Sequence, residues 1–255
     1  MEFLEFDQLC IEMLEGLPNT KAKHCFRSAL NHLKRAEKIK EIDLSMAAFR
    51  LITAEEEAAT GLMLELKNKK YKNSEHLDFK SHLYKGAVIE VIRVITQFLE
   101  DNFQDSFYDL SMHKVDGKLN LRLTAEMIIN GDRVVILPEP PLSIALRLGD
   151  EKYRFSMNKQ LKKLIENGGS QTIMSHLREK ANLRNLLLYA SEKGFPSDPV
   201  ITEKFFPAYK QRVLTIMRVF LMVQPYDEAQ PAVQDALDIM LSILDKVRYE
   251  DLLDD

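Results

Sequence analysis

Apolar positions recur at helical spacing through the first hundred residues. Phe3, Phe6, Leu9, Cys10, Met13 and Leu14 line one face of a short acidic helix over 3–15, which Gly16 and Pro18 stop. From Asn19, a residue suited to an N-cap, Ala22, Cys25, Phe26, Ala29, Leu33 and Ala36 repeat with period 3.6 to about Lys40. Asp43 can cap a third helix, whose apolar seam runs Leu44, Ala48, Leu51, Ile52, Ala59, Leu62 and Leu66 before a polar loop at 67–74. In a fourth helix, about 77–103, Val88, Ile89, Val91, Ile92, Val94, Ile95, Phe98 and Leu99 cover most of the circumference, which places this helix at the centre of a bundle.

The period then changes. Asp116-Gly117, Asn130-Gly131 and Gly149-Asp150 are hairpin-turn dipeptides between segments such as 119–123, 134–137 and 144–148 that alternate or run apolar. They predict a small antiparallel sheet over 110–157, with Pro138, Pro140 and Pro141 in a connector between the second and third hairpins. Helical spacing returns at 158–166, 170–192, 203–223 and 231–253, with Gly168-Gly169, Gly194, Pro196, Pro225 and Pro231 as boundaries. The fold class expected is mainly α: an N-terminal helical bundle (1–109), a small antiparallel β-hairpin insertion (110–157) and a C-terminal helical region (158–255). Whether these make one domain or two stays open.

Composition changes this picture little. With 45% hydrophobic and 29% charged positions in 255 residues, the chain can bury one large core or two modest ones, and it is not a disordered tail. A net charge of −4 gives no global attraction to nucleic acid or to an anionic membrane, so such a partner needs a local patch. Two cysteines, Cys10 and Cys25, cannot build a disulfide framework, and Met1 is followed by Glu2 rather than by a basic segment leading into an apolar one. A cytoplasmic protein is expected. Even 86–99 is interrupted by Glu90 and Arg93, so no spanning helix and no membrane partner are expected.

Candidate chemistry centres on Thr53-Ala54-Glu55-Glu56-Glu57-Ala58-Ala59-Thr60, where three carboxylates interrupt an apolar helix. Glu55 falls between Ile52 and Ala59 on the core-facing seam, and a buried carboxylate is costly unless a cation or donors satisfy it. Another helix must therefore supply a partner; His82 and Lys85, at i and i+3 on the fourth helix, are the candidates. Glu55, Glu56, His82 and Lys85 thus form a candidate polar cluster, to be weighed against an ordinary structural ion network. No phosphate-cradling Gly-rich loop, paired-cysteine spacing, His-Glu-x-x-His or Glu-x-x-His occurs, so neither a metal nor another cofactor is expected.

The run Met46-Ala47-Ala48-Phe49-Arg50-Leu51-Ile52-Thr53-Ala54-Glu55-Glu56-Glu57-Ala58-Ala59-Thr60, preceded by an amphipathic helix and followed by His82-x-x-Lys85, resembles the abortive-infection (AbiV-type) branch of the HEPN superfamily over about 20–100. The resemblance implies a helical bundle, often dimeric. It also implies a bacterial defence or stress role and an RNA partner that is bound or cleaved without metal by an Arg and a His four to six residues apart on one helix. Arg27 and His32 have that spacing: His32 would serve as general base or acid on a ribose 2′-hydroxyl while Arg27 stabilises charge on the phosphate. On a regular helix a separation of five leaves them about 140° apart, so they converge only through a helix distortion or a second protomer. The alternative is a non-enzymatic helical module that docks a protein partner or a second copy of itself through the bundle or the hairpin arm.

Charge patterning bears on both readings. Residues 21–40 hold seven basic side chains against one acid, Glu37, while the first helix has only acids. The run can bind phosphates or pair with that acidic helix, and pairing is favoured because the partner is always present. A second basic stretch, 152–193, includes Lys159, Lys162, Lys163, Arg178, Lys180 and Arg184. Its helix–Gly-Gly–helix outline suggests either a helix-turn-helix or an ordinary helical hairpin.

Overall fold

A computed structural model describes residues 2–102, 107–115, 117–129, 132–143, 145–148, 151–154, 169–189 and 201–244. The fold is mainly α with a small antiparallel β region between the helices. Helix α1 spans Glu5–Gly16, α2 Lys21–Ile39, α3 Leu44–Asn68 and α4 His82–Asn102, the last preceded by a short 3-10 turn at Ser74–His76. Strands β1 (Phe107–Val115), β2 (Lys118–Ile129) and β3 (Asp132–Ile136) form a sheet in that order, and β4 (Ala145–Leu148) with β5 (Glu151–Arg154) forms a separate pair. Helices α5 (Gly169–Leu188), α6 (Phe205–Val223) and α7 (Pro231–Ile243) follow.

Local chemistry explains most boundaries. Asp43 caps α3 as expected, its Oδ1 accepting the Met46 N–H at 2.8 Å. The cap of α2 is Thr20 rather than Asn19; its Oγ1 accepts from the Lys23 N–H at 3.2 Å. The polar loop after α3 takes two non-glycine residues through the left-handed region, Lys70 and Asn73, which delays α4 to His82. All three expected hairpins form, with Val115 opposite Lys118, Ile129 opposite Asp132 and Leu148 opposite Glu151. The helix expected at 158–166 and the end of the one expected at 231–253 lie outside the described residues.

The centre of the bundle is α3, not α4. It packs against α2, α4, α5 and α6, and apolar or small residues are buried along its whole length. The sequence pattern of α4 overstated its centrality because a helix flanked by several partners is apolar nearly all round without being the innermost one. The α2–α3 crossing is close because Gly61 faces Phe26: a Cβ there would come within 2.7 Å of the Phe26 ring and 3.1 Å of the Ala22 carbonyl oxygen. Phe26 in turn lies 4.5 Å, centroid to centroid, from Phe220 of α6. A single apolar cluster runs from α1 through α7 and takes in Leu121 of β2, so both helical regions share one core. Helix α6 lies against α1, α2 and α3 with Val213, Leu214, Ile216 and Met217 fully buried.

The C-terminal helices also hold the loops. Gln230, fully buried, donates from Nε2 to the Met222 carbonyl at 2.8 Å and accepts the Leu142 N–H at 2.8 Å, which fixes the proline connector. Gln234 brackets the backbone of Lys72, accepting its N–H at 2.9 Å and donating to its carbonyl at 3.0 Å. No described helix is long and apolar enough to cross a membrane.

Candidate functional site

The inward carboxylate has a cationic partner from another helix, but neither expected one. Glu55 is 6% exposed, and its Oε2 accepts from Arg212 Nη1 of α6 at 3.2 Å. The Arg212 guanidinium lies over the Tyr209 ring at 4.7 Å. Burial alone would lower the affinity of Arg212 for its proton, but the Glu55 carboxylate, with Tyr209 and Glu90 nearby, reverses this and raises it. Tyr209 is pushed far up by burial and by the Glu55 charge, so it stays a neutral phenol beneath the pair. Arg212 was not foreseen, yet a signal existed: cations at 210, 212 and 218 interrupt an otherwise apolar helix just as Glu55 interrupts α3. Arg218 does the corresponding work for α1, donating to the buried Asp7 carboxylate at 2.6 Å.

His82 instead belongs to Glu56, one residue further round α3. Its Nδ1 lies 2.7 Å from Glu56 Oε1, and Arg184 of α5 places Nη1 3.6 Å from Glu56 Oε2 and 3.0 Å from His82 Nε2. The same Nη1 lies 3.3 Å from His82 Nδ1, so the guanidinium stands over the imidazole face and takes neither in-plane lone pair, while Nδ1 is turned to the carboxylate. Three helices thus meet at one carboxylate, one imidazole and one guanidinium. The glutamate is mostly covered, while the histidine and arginine side chains keep 46% and 30% of their surface open. Arg184 also lies over the Phe49 ring at 4.8 Å, and Phe49, Thr53 and Glu56 share one face of α3. Lys85 acts on Cys25, where, after Lys21, it opposes the rise in the thiol pKa caused by burial and by Glu57.

Arg27 and His32 do not meet. Arg27 Nε pairs with Glu15 of α1 at 3.2 Å, and both side chains are exposed. His32 is half-buried on another side of α2, with Nδ1 3.5 Å from Arg50 Nη1. This is the divergence that a regular helix imposes on a spacing of five. The acidic first helix does draw on the basic run, since Lys23 Nζ also donates to the Glu15 and Leu17 carbonyls, both at 2.7 Å, at the end of α1. Lys21 remains outward and, with Lys67, lies over the Phe79 ring, at 5.0 and 5.6 Å, three residues before His82.

Both cysteines are buried packing groups; burial pushes the Cys10 thiol up to about 11, the neighbouring Arg218 opposing the rise and Asp7 adding to it. Among the described residues no set of three His, Cys, Asp or Glu side chains converges as a metal site. Of the second basic stretch, only part lies among the described residues, and there Arg184 serves the Glu56 cluster; the first helix of the helix-turn-helix outline lies outside them. No protein-family model matches this chain, and none of the curated proteins or solved structures compared with it matches either.

Proposed function

We propose that this chain binds single-stranded RNA across the half-exposed face of α3, and that Glu56, His82 and Arg184 handle one phosphodiester group there. The observation behind this reading is the imidazole held between a carboxylate at 2.7 Å and a guanidinium at 3.0 Å, at a surface open enough for a ligand. Glu56 fixes the ring orientation, and a phosphate oxygen can take the Arg184 N–H groups that lie over the imidazole with charge-assisted geometry. Nε2 is then free to accept a hydrogen bond, or a proton, from a ribose 2′-hydroxyl beside that phosphate. Lys21 and Lys67, both over the Phe79 ring three residues before His82, supply positive charge and a ring on the approach to α4. The HEPN resemblance adds the setting, bacterial defence or stress response, with the phosphate-handling pair moved from Arg27/His32 to Arg184/His82.

Fluorescence anisotropy with a labelled single-stranded RNA tests this. The wild type is expected to bind with strong salt dependence, and Arg184→Ala and His82→Ala to weaken binding about tenfold or more, the scale of one lost charge-assisted contact. Equal affinity of all three proteins would refute it. A denaturing gel of the same samples in EDTA reads whether His82 also takes the 2′-hydroxyl proton.

The alternative, a non-enzymatic module that docks a second copy, is favoured by Val135 and Leu137, which stand 53% and 51% exposed on and just after β3. Its signature would be a dimer in sedimentation that Val135→Lys dissociates while RNA affinity stays unchanged.

A further inference from the structure

Among the described residues several helical arginines face carboxylates, such as Arg27 with Glu15, Arg184 with Glu56, Arg212 with Glu55 and Arg218 with Asp7. Arg50 of α3 differs. Its Nη1 approaches the imidazole of His32 at 3.5 Å, and its Nε is buried with no hydrogen-bond partner among the described residues. Arg122 and Arg218 also bury an Nε without a hydrogen-bond partner, but each has a carboxylate on its guanidinium, whereas the contact of Arg50 is an imidazole. Arg35 stands one turn beyond His32 on α2 and is exposed. Burial, then Arg50, then Arg35 lower the proton affinity of His32, with no carboxylate acting against them. Because Nδ1 faces a guanidinium N–H, it takes the acceptor role, and the ring proton sits on Nε2, on the side away from Arg50.

We infer that Arg35, His32 and Arg50 form an oxyanion site at the α2–α3 edge that takes a phosphate group. Such a ligand supplies what the cluster lacks: acceptor oxygens for the guanidinium N–H groups, and negative charge beside a ring that Arg50 and Arg35 both disfavour protonating. Planar guanidinium donors match phosphate oxygens in pairs, which is why arginine rather than lysine suits the position. The phosphate can be free or part of a nucleic-acid backbone. Arg50 and Glu56 are six positions apart on α3, about 9 Å along its axis. They also point about 120° apart around the helix, so the two clusters open on different faces and the oxyanion site stands without the RNA reading.

The test is calorimetric titration with inorganic phosphate at low ionic strength, beside anisotropy with an RNA hexamer lacking a terminal phosphate. Wild type is expected to take up phosphate saturably, and Arg50→Gln to weaken it tenfold or more; Arg35→Gln should weaken it less. In the wild type, phosphate should also raise the pKa of the His32 ring followed by NMR, a reading that decides the matter should Arg50→Gln fail to fold. If Arg50→Gln weakens phosphate alone, the site serves a small phosphate; if it weakens the hexamer as well, it serves a backbone phosphodiester, and both results support the inference. Phosphate uptake that is absent from the wild type or unaltered in Arg50→Gln, or a His32 ring indifferent to phosphate, would overturn it. Loss of phosphate uptake in Arg50→Gln together with undiminished RNA binding in Arg184→Ala would keep this site and remove the proposed function instead.

Discussion

At the scale of single residues, neighbouring carboxylates on α3 have different tasks because helical geometry turns them about 100° apart. Glu55 faces inward and is neutralised by Arg212; Glu56 sits at the margin and orients His82. The inward position of Glu55 was legible from its place on the apolar seam. The identity of its partner was not, because Arg212 lies 157 residues further on and no sequence spacing connects the two. Removing either partner takes a charge-assisted bond away from a largely covered carboxylate, so Glu55→Gln and Arg212→Gln should each destabilise by about 1–3 kcal/mol. Their coupling in a double-mutant cycle, read by urea denaturation, should exceed about 0.5 kcal/mol; strict additivity would contradict the pair. Arg212 keeps 31% of its side chain in solvent, so values at the lower end are expected. His32 gives a pH signature. Its folded-state pKa lies below the ordinary histidine value, first through burial and then through Arg50 and Arg35. The unfolded chain therefore takes the proton more readily, and the stability that the neutral ring allows is full above the ordinary value and lost as pH falls through it to the folded one. Between pH 8 and pH 5 the melting temperature of wild type should fall more than that of His32→Gln; parallel falls would show that His32 is not in this electropositive setting.

At the scale of elements, caps and periods were readable because they are local. Asp43 caps where the sequence places it and strands pair on either side of each expected hairpin turn, and the one-residue shift from Asn19 to Thr20 reflects two adjacent residues able to cap the same turn. Tertiary competition was not readable, which is why α3 rather than α4 takes the centre. Gly61 shows what that position requires. Glycine within a helix ordinarily costs up to about 1 kcal/mol relative to alanine, so Gly61→Ala on an isolated helix would stabilise. Here the added methyl meets the buried Phe26 ring, which Phe220 backs, and a backbone carbonyl at 3.1 Å. Overpacking of this kind typically costs about 1–3 kcal/mol, so the net effect of Gly61→Ala should be destabilising in thermal melts. A raised melting temperature would mean that the α2–α3 crossing is looser than described.

At the scale of the whole molecule, α6 returns to the N-terminal bundle and closes it. Its apolar face packs against α1, α2 and α3, while Arg218 and Arg212 neutralise Asp7 and Glu55, two of the buried acids that those helices contribute. The period of 205–223 announced a helix, but the place where it docks is a property of the complete chain. A fragment spanning 1–109 therefore retains helices without a closed core and should melt without cooperativity and bind an apolar dye; a sharp transition would show that the bundle stands alone. The same closure holds α3 rigid beneath its half-exposed face, where α4 and α5 bring His82 and Arg184 to Glu56. That convergence is the central claim, and NMR of the ring nitrogens of the six histidines during addition of single-stranded RNA tests it most directly. The account predicts that the His82 ring shifts with RNA in the wild type and no longer does so in Arg184→Ala. A His82 ring that stays unmoved while the protein binds RNA would contradict it.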